Sequence, residues 1–80
     1  MIEIQLQLYA TLRNYRPEMP LEGGEALLLP EDSTILDLLH GLGIPAQEVQ
    51  TAFVNRKVRA LEQKLAAGDR VDLFPTIAGG

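Results

Sequence analysis

Residues 2–9 read Ile-Glu-Ile-Gln-Leu-Gln-Leu-Tyr, a strict alternation that sets Ile2, Ile4, Leu6 and Leu8 against Glu3, Gln5, Gln7 and Tyr9. A period of two places the apolar set on one face of a β-strand and the polar set on the other. Such a strand has to be covered on one side only, so the chain must build a sheet with a second layer over its apolar face. Its register is tightly specified, because a slip of one residue would turn the whole apolar set to water. With 80 residues there is room for one domain and one modest core, and no second domain is expected.

Residues 10–24 contain Asn14, Pro17, Pro20, Gly23 and Gly24, turn and breaker residues that separate the first strand from the next apolar run. The stretch reads as a loop, with Leu12 and Tyr15 available to tuck beneath it. Glu25 to Leu29 reads as a short second strand halted by Pro30. Leu27, Leu28 and Leu29 are all apolar and leave its buried face undecided, and a hairpin with the first strand is its simplest pairing.

A helix follows with clear punctuation. Thr34 is a good N-cap with Asp37 three residues on, and Ser33 is an alternative cap. Ile35, Leu38, Leu39 and Leu42 form an i, i+3, i+4, i+7 stripe that can lie on the sheet, and Gly43 then closes the helix ahead of Pro45. Two to three turns cannot stand on propensity, so packing must hold them.

Thr51 to Val54 reads as a third strand, with Ala52 and Val54 facing one way and Phe53 the other. Asn55-Arg56 makes a tight turn into Lys57-Val58-Arg59-Ala60, a short cation-rich partner strand. Residues 61–68 read as a one-turn connector with Leu65 inward, and Ala67-Gly68-Asp69 turns into Arg70–Phe74, where Val71 and Leu73 face the core while Asp72 and Phe74 face out. A hairpin, a helix and then further strands give an α+β chain. The sequence predicts a β-grasp fold: a mixed sheet of four to five strands with one main helix packed across one face. Phe53 and Phe74 then fall on the helix-free face, where an exposed apolar pair suggests a docking site.

The closing residues, Pro75-Thr76-Ile77-Ala78-Gly79-Gly80, carry the second constraint. Proline has no N–H and is expected to end pairing, which divides the chain into a domain at 1–74 and a flexible tail at 75–80. Six extended residues reach about 20 Å, and Gly79-Gly80 would pass only backbone through a narrow channel. Such an end is suited to presenting the Gly80 carboxylate to another protein's cleft.

Composition narrows the partners. A net charge of −4 argues against nucleic acid, since phosphate binding depends on clustered cations. The cations that exist, Arg56, Lys57, Arg59, Lys64 and Arg70, gather in the C-terminal third and give a docking surface with a sign. The apolar runs are too short for a bilayer and the first residues do not read as a leader, so a cytoplasmic location and no membrane partner are expected. There is no cysteine, hence no disulfide, thiolate metal site or thiol nucleophile, and no metal or other cofactor is expected on this chain. The lone histidine, His40, falls off the helix stripe and reads as an exposed side chain rather than a general base. Gly41-Leu42-Gly43 and Gly23-Gly24 are too short for a phosphate-binding loop.

The chain resembles the MoaD/ThiS family of ubiquitin-like sulfur carriers over nearly its whole length. The resemblance rests on Met1–Ile4, Leu8–Arg13, Leu29–Glu31, Ser33–Leu39, Val54-Asn55, Ala67–Asp69 and above all Leu73–Gly80. Phe74-Pro75 looks more like the molybdopterin synthase small subunits, while Ile77–Gly80 is also found in thiamine-pathway carriers. Asn55-Arg56 stands where many members have Asn-Gly. The resemblance implies a carrier rather than a catalyst. An E1-like partner would use ATP and Mg²⁺ to adenylate Gly80, a sulfur donor would convert it to a thiocarboxylate, and a synthase large subunit or equivalent acceptor enzyme would receive the sulfur, most simply for molybdopterin. It further implies that Ile77, Ala78, Gly79 and Gly80 form the working tail and that Phe53, Phe74 and Pro75 dock the partner. The same end could serve a thiamine-pathway carrier or a protein modifier that forms isopeptide bonds through Gly80.

Overall fold

The computed structural model describes residues 1–20 and 22–76. The alternating segment forms β1 (Ile2–Leu8), and Glu25–Leu29 forms β2, its antiparallel hairpin partner, with Ile4 opposite Leu27. That register settles which face β2 buries: Leu27 and Leu29 pack on the core and Leu28 stands in solvent. Helix α1 (Ile35–Leu42) follows, then β3 (Val49–Val54), β4 (Lys57–Val58) and β5 (Arg70–Pro75). The five strands lie in the order β2–β1–β5–β3–β4, with β1 and β5 parallel at the centre and the other neighbours antiparallel. This is the mixed β-grasp sheet that the order of elements predicts.

One side of the sheet is dry. Ile4, Leu6 and Leu8 of β1, Val71 and Leu73 of β5, and Ala52 and Val54 of β3 are buried together with Ile35, Leu38 and Leu39 of α1. Each large aliphatic side chain removed from water contributes about 1.5–3 kcal/mol, and in a chain without a disulfide this cluster has to carry the fold. Thr34 caps α1 through a full capping box: its hydroxyl accepts from the Asp37 N–H, and its own N–H donates to the Asp37 carboxylate. The next free N–H groups, Ile35 and Leu36, donate to the carbonyls of Gln63 and Leu61 in the connector. The helix start is thereby satisfied from within the protein. Gly43 ends the helix at φ 75°, in the left-handed region where a side chain is disfavoured.

Four local expectations change. The stretch after β1 is partly ordered as a 3-10 helix, Ala10–Tyr15, which buries Leu12, and Met19 beyond it closes the same edge of the core. The third strand begins earlier, at Val49, through an irregularity between Val49 and Thr51, and β4 is only two residues long. Pro75 does not end pairing: it lies within β5 opposite Val49. A proline is tolerated there because the pairing of β5 with β1 stops at Leu73, opposite Leu8, and the Thr76 N–H beyond it donates to the Glu48 carbonyl just before β3 at 3.0 Å. The expected boundary between residues 74 and 75 therefore falls inside a strand.

Candidate docking site and C-terminal anchor

The helix-free face of the sheet carries the side chains that alternate with the core. Along β5 these are Arg70, Asp72 and Phe74; β1 presents Gln5 and Gln7 beside them, and β3 presents Thr51 and Phe53. Cross-strand register brings the two phenylalanines together, with ring centroids 5.5 Å apart in an edge-to-face arrangement. Tyr9, just past the end of β1, stacks on the other side of Phe74 at 4.2 Å with the planes 12° apart. Both geometries are favourable for aromatic pairs. The sequence pointed to Phe53 and Phe74 but not to Tyr9, whose place as the last polar-face residue of the alternation was the available signal.

Asp72 was expected to face out, and it does lie on this side, yet it is only 7% exposed. Neighbours cover it. Tyr9 Oη donates to Asp72 Oδ1 at 3.0 Å, and Arg70 donates to both carboxylate oxygens, with Nε to Oδ2 at 3.1 Å and Nη2 to Oδ1 at 3.2 Å. A buried carboxylate is tolerable only when its lone pairs are met in this way. The hydrogen bonds to Asp72, joined by the nearby Tyr9, hold the Arg70 guanidinium above its ordinary pKa. The charge pair thus fixes the polar end of a platform whose apolar end is Phe53 and Phe74.

Around this platform lies an open hollow of about 260 Å³, lined by Tyr9, Phe53, Arg56, Arg70, Asp72 and Phe74. Its rim is cationic. Among the described residues Arg56, Lys57 and Arg59 form no ion pair, and Val58 between them is 63% exposed.

The far end of β5 is tied down. Besides the Thr76 N–H to Glu48 bond, the Thr76 hydroxyl donates to the Gln47 carbonyl at 3.1 Å, and Tyr15 Oη donates to the Glu48 carboxylate at 2.8 Å. The hydrogen bond to Glu48 raises the Tyr15 pKa. Gln47 and Glu48 end the short 3-10 turn Ala46–Glu48, so Thr76 satisfies carbonyls that the turn itself leaves open. Pro75, half-buried in this arrangement, is the last residue of the central strand β5, next to Phe74 of the platform. Ile77, Ala78, Gly79 and Gly80 lie outside the described residues.

With fold and site in place, the family is decided by a family-model match, to Mut7-C ubiquitin, over residues 1–79. The chain belongs to the Mut7-C ubiquitin family. As a Mut7-C ubiquitin protein it shares its fold with several solved structures. A Pyrococcus furiosus protein assigned as molybdopterin converting factor, subunit 1, superposes with a TM-score of 0.72 at 19% identity, covering 96% of this chain and all of that one. Small archaeal modifier protein 1 from Haloferax volcanii gives a TM-score of 0.72 at 21% identity, over 96% of this chain and 100% of that chain. A crystal structure of SAMP1 from Haloferax volcanii gives 0.68 at 25% identity, over 98% and 99%. No curated protein sequence matches the chain. The Mut7-C ubiquitin protein is thus ubiquitin-like and stands in fold with MoaD-like proteins, as its sequence implied. No helix among the described residues is long and apolar enough to cross a membrane. His40 is exposed on α1, and no three acidic or histidine side chains among the described residues come together as a metal site.

Proposed function

We propose that this protein is a sulfur carrier: its Gly80 carboxylate is adenylated by an E1-like partner and converted to a thiocarboxylate whose sulfur goes to molybdopterin-type cofactor synthesis. The observation that carries the reading is the placement of the aromatic platform and the Thr76 anchor at one end of the same strand, four residues before Gly80. The Pyrococcus furiosus molybdopterin converting factor subunit, similar over the whole of its length, supports the choice of pathway.

A carboxylate resists substitution because its charge is delocalised and its oxygen leaves poorly. In the proposed sequence a Gly80 oxygen attacks the α-phosphorus of ATP on the partner, pyrophosphate leaves, and a hydrosulfide-level nucleophile then displaces AMP. The carrier contributes position. Docking through Phe53, Phe74 and Pro75 makes the attack effectively intramolecular, and the glycines let the chain pass where a Cβ would not.

A second reading, a modifier joined through Gly80 to target lysines, is favoured by the likeness to small archaeal modifier protein 1. Intact mass spectrometry of the protein isolated from its own cells separates the two. A species ending at Gly80 and heavier by the difference between sulfur and oxygen is expected; lysine conjugates without that species would instead establish the modifier. Gly80→Phe should fold normally and acquire no sulfur, and normal thiocarboxylate formation on that variant would defeat the carrier reading.

A further inference from the structure

Of the non-glycine residues described with positive φ, which are Ala10, Asp32, Asn55 and Arg56, only Arg56 carries a long side chain. It occupies the second central position of the β3–β4 turn at φ 70°, after Asn55 at φ 53°. Two successive left-handed residues are the signature of the tight hairpin turn whose second position glycine fills best. Asparagine is at ease at the first position, and arginine is not at the second. Nothing within the described fold compensates it: Arg56 is exposed and makes no ion pair among those residues. Backbone strain retained at a surface position points toward use of the side chain.

The side chain lines the same hollow as Tyr9, Phe53, Phe74 and Arg70. Arg70 has Nε and Nη2 committed to Asp72, so the guanidinium without an internal carboxylate at this rim is that of Arg56. Lys57 and Arg59 extend the positive edge, on a chain whose net charge is −4. A half-buried aromatic floor with one unpaired guanidinium beside it matches a particular chemistry, an apolar side chain next to a carboxylate.

We infer that Arg56 is the specificity residue of the docking hollow, and that it takes a partner's protein segment bearing an aromatic or branched apolar anchor adjacent to an Asp or Glu. The anchor lies against Phe53 and Phe74, and the carboxylate accepts from the Arg56 guanidinium. This rests on the proposed docking face but concerns its partner's chemistry alone, and the test does not involve Gly80.

The full chain, labelled with ¹⁵N, is titrated with the acetylated and amidated peptide Ser-Asp-Phe-Ser, and in parallel with Ser-Asn-Phe-Ser and Ser-Asp-Ser-Ser. The first should shift the amides of Phe53, Arg56, Arg70 and Phe74 and bind at least fivefold tighter than either control. Arg56→Gly suits the turn better, so its denaturation midpoint should be no lower than that of the parent, and it should bind the Asp and Asn peptides equally. Equal binding of the peptides by the parent, an acid preference that survives in Arg56→Gly, or no localised shifts would each overturn the assignment. Peptide preference with no sulfur on Gly80 in cells would refute the carrier reading and leave this one standing.

Discussion

Tyr9 and Asp72, 63 residues apart in sequence, are joined by a 3.0 Å hydrogen bond from the Tyr9 phenol to the Asp72 carboxylate. The bond ties the end of β1 to the middle of β5 and sets the tilt at which the Tyr9 ring meets Phe74. Tyr9→Phe removes one donor and should cost about 1 kcal/mol, with the ring still stacked. Asp72→Ala strands the Arg70 guanidinium and the Tyr9 phenol together and should cost about 1–3 kcal/mol. Urea denaturation of both variants checks the order. A less stable Tyr9→Phe than Asp72→Ala would mean that the carboxylate is a burden that the neighbours merely tolerate.

Gly24 stands against the backbone of β1. A Cβ placed on it would come 2.2 Å from the Leu6 carbonyl oxygen, and its φ of 68° lies in the left-handed region. Neither the clash nor the strain can be relieved by a side-chain rotation, so Gly24→Ala should lose more than about 2 kcal/mol. Gly23→Ala has the same sign of φ but meets nothing within 4 Å, and it should cost only about 1 kcal/mol. Thermal melts of the pair decide it; equal losses would show that the loop moves away from β1 when a methyl group is added.

The capping box of α1 predicts a particular acid response. The Thr34 backbone N–H and then its hydroxyl hold the Asp37 carboxyl below its ordinary value. A depressed carboxylate pKa stabilises the fold at pH values above the unfolded value, near 3.8, and that contribution is lost as pH falls through the lower folded value. Asp37→Asn should therefore be less stable than the parent at neutral pH, and the gap should close below pH 3.8 as the parent protonates. Thr34→Ala should cost about 1 kcal/mol, roughly 4–8 °C in Tm. Melts of the three proteins across the acid range test this, and a gap that stays constant with pH would remove the charge from the account.

Much of this was legible in the chain because it is locally encoded. The alternation of β1, the Thr34–Asp37 box and the Gly43 stop each reside within a few residues, and each appears where the pattern put it. The paired phenylalanines followed from the same alternation carried across two strands. What escaped depends on contacts between distant segments. Pro75 looked like a terminator because a proline removes its own N–H, but a strand is ended by the absence of a partner, and Glu48 supplies one to Thr76. Asp72 looked exposed because aspartate usually is, and only the arrival of Tyr9 and Arg70 makes its burial affordable. The strain at Arg56 is invisible until φ is known.

The Thr76 anchor changes the reach available to Gly80. From Pro75 six residues span about 20 Å, but beyond a fixed Thr76 the remaining four can span at most about 14 Å. Two donors hold that root, the backbone N–H to Glu48 and the hydroxyl to Gln47. One hydrogen bond is worth about 0.5–1.5 kcal/mol net, so Thr76→Val should open the root roughly two- to tenfold more often. The amide of residue 76 should then exchange with solvent faster by about that factor, while Thr76→Ser, which keeps a hydroxyl, should stay near the parent rate. In a carrier, a longer tether lowers the effective concentration of Gly80 at the partner's nucleotide, by roughly 1.4-fold when release of Thr76 turns four residues into five while Pro75 stays opposite Val49. The rate of sulfur loading at saturating partner should fall in the valine variant with its docking affinity unchanged. An amide at Thr76 that exchanges as freely in the parent as in an unfolded peptide would show that the root is not held in solution, and the longer reach would then apply.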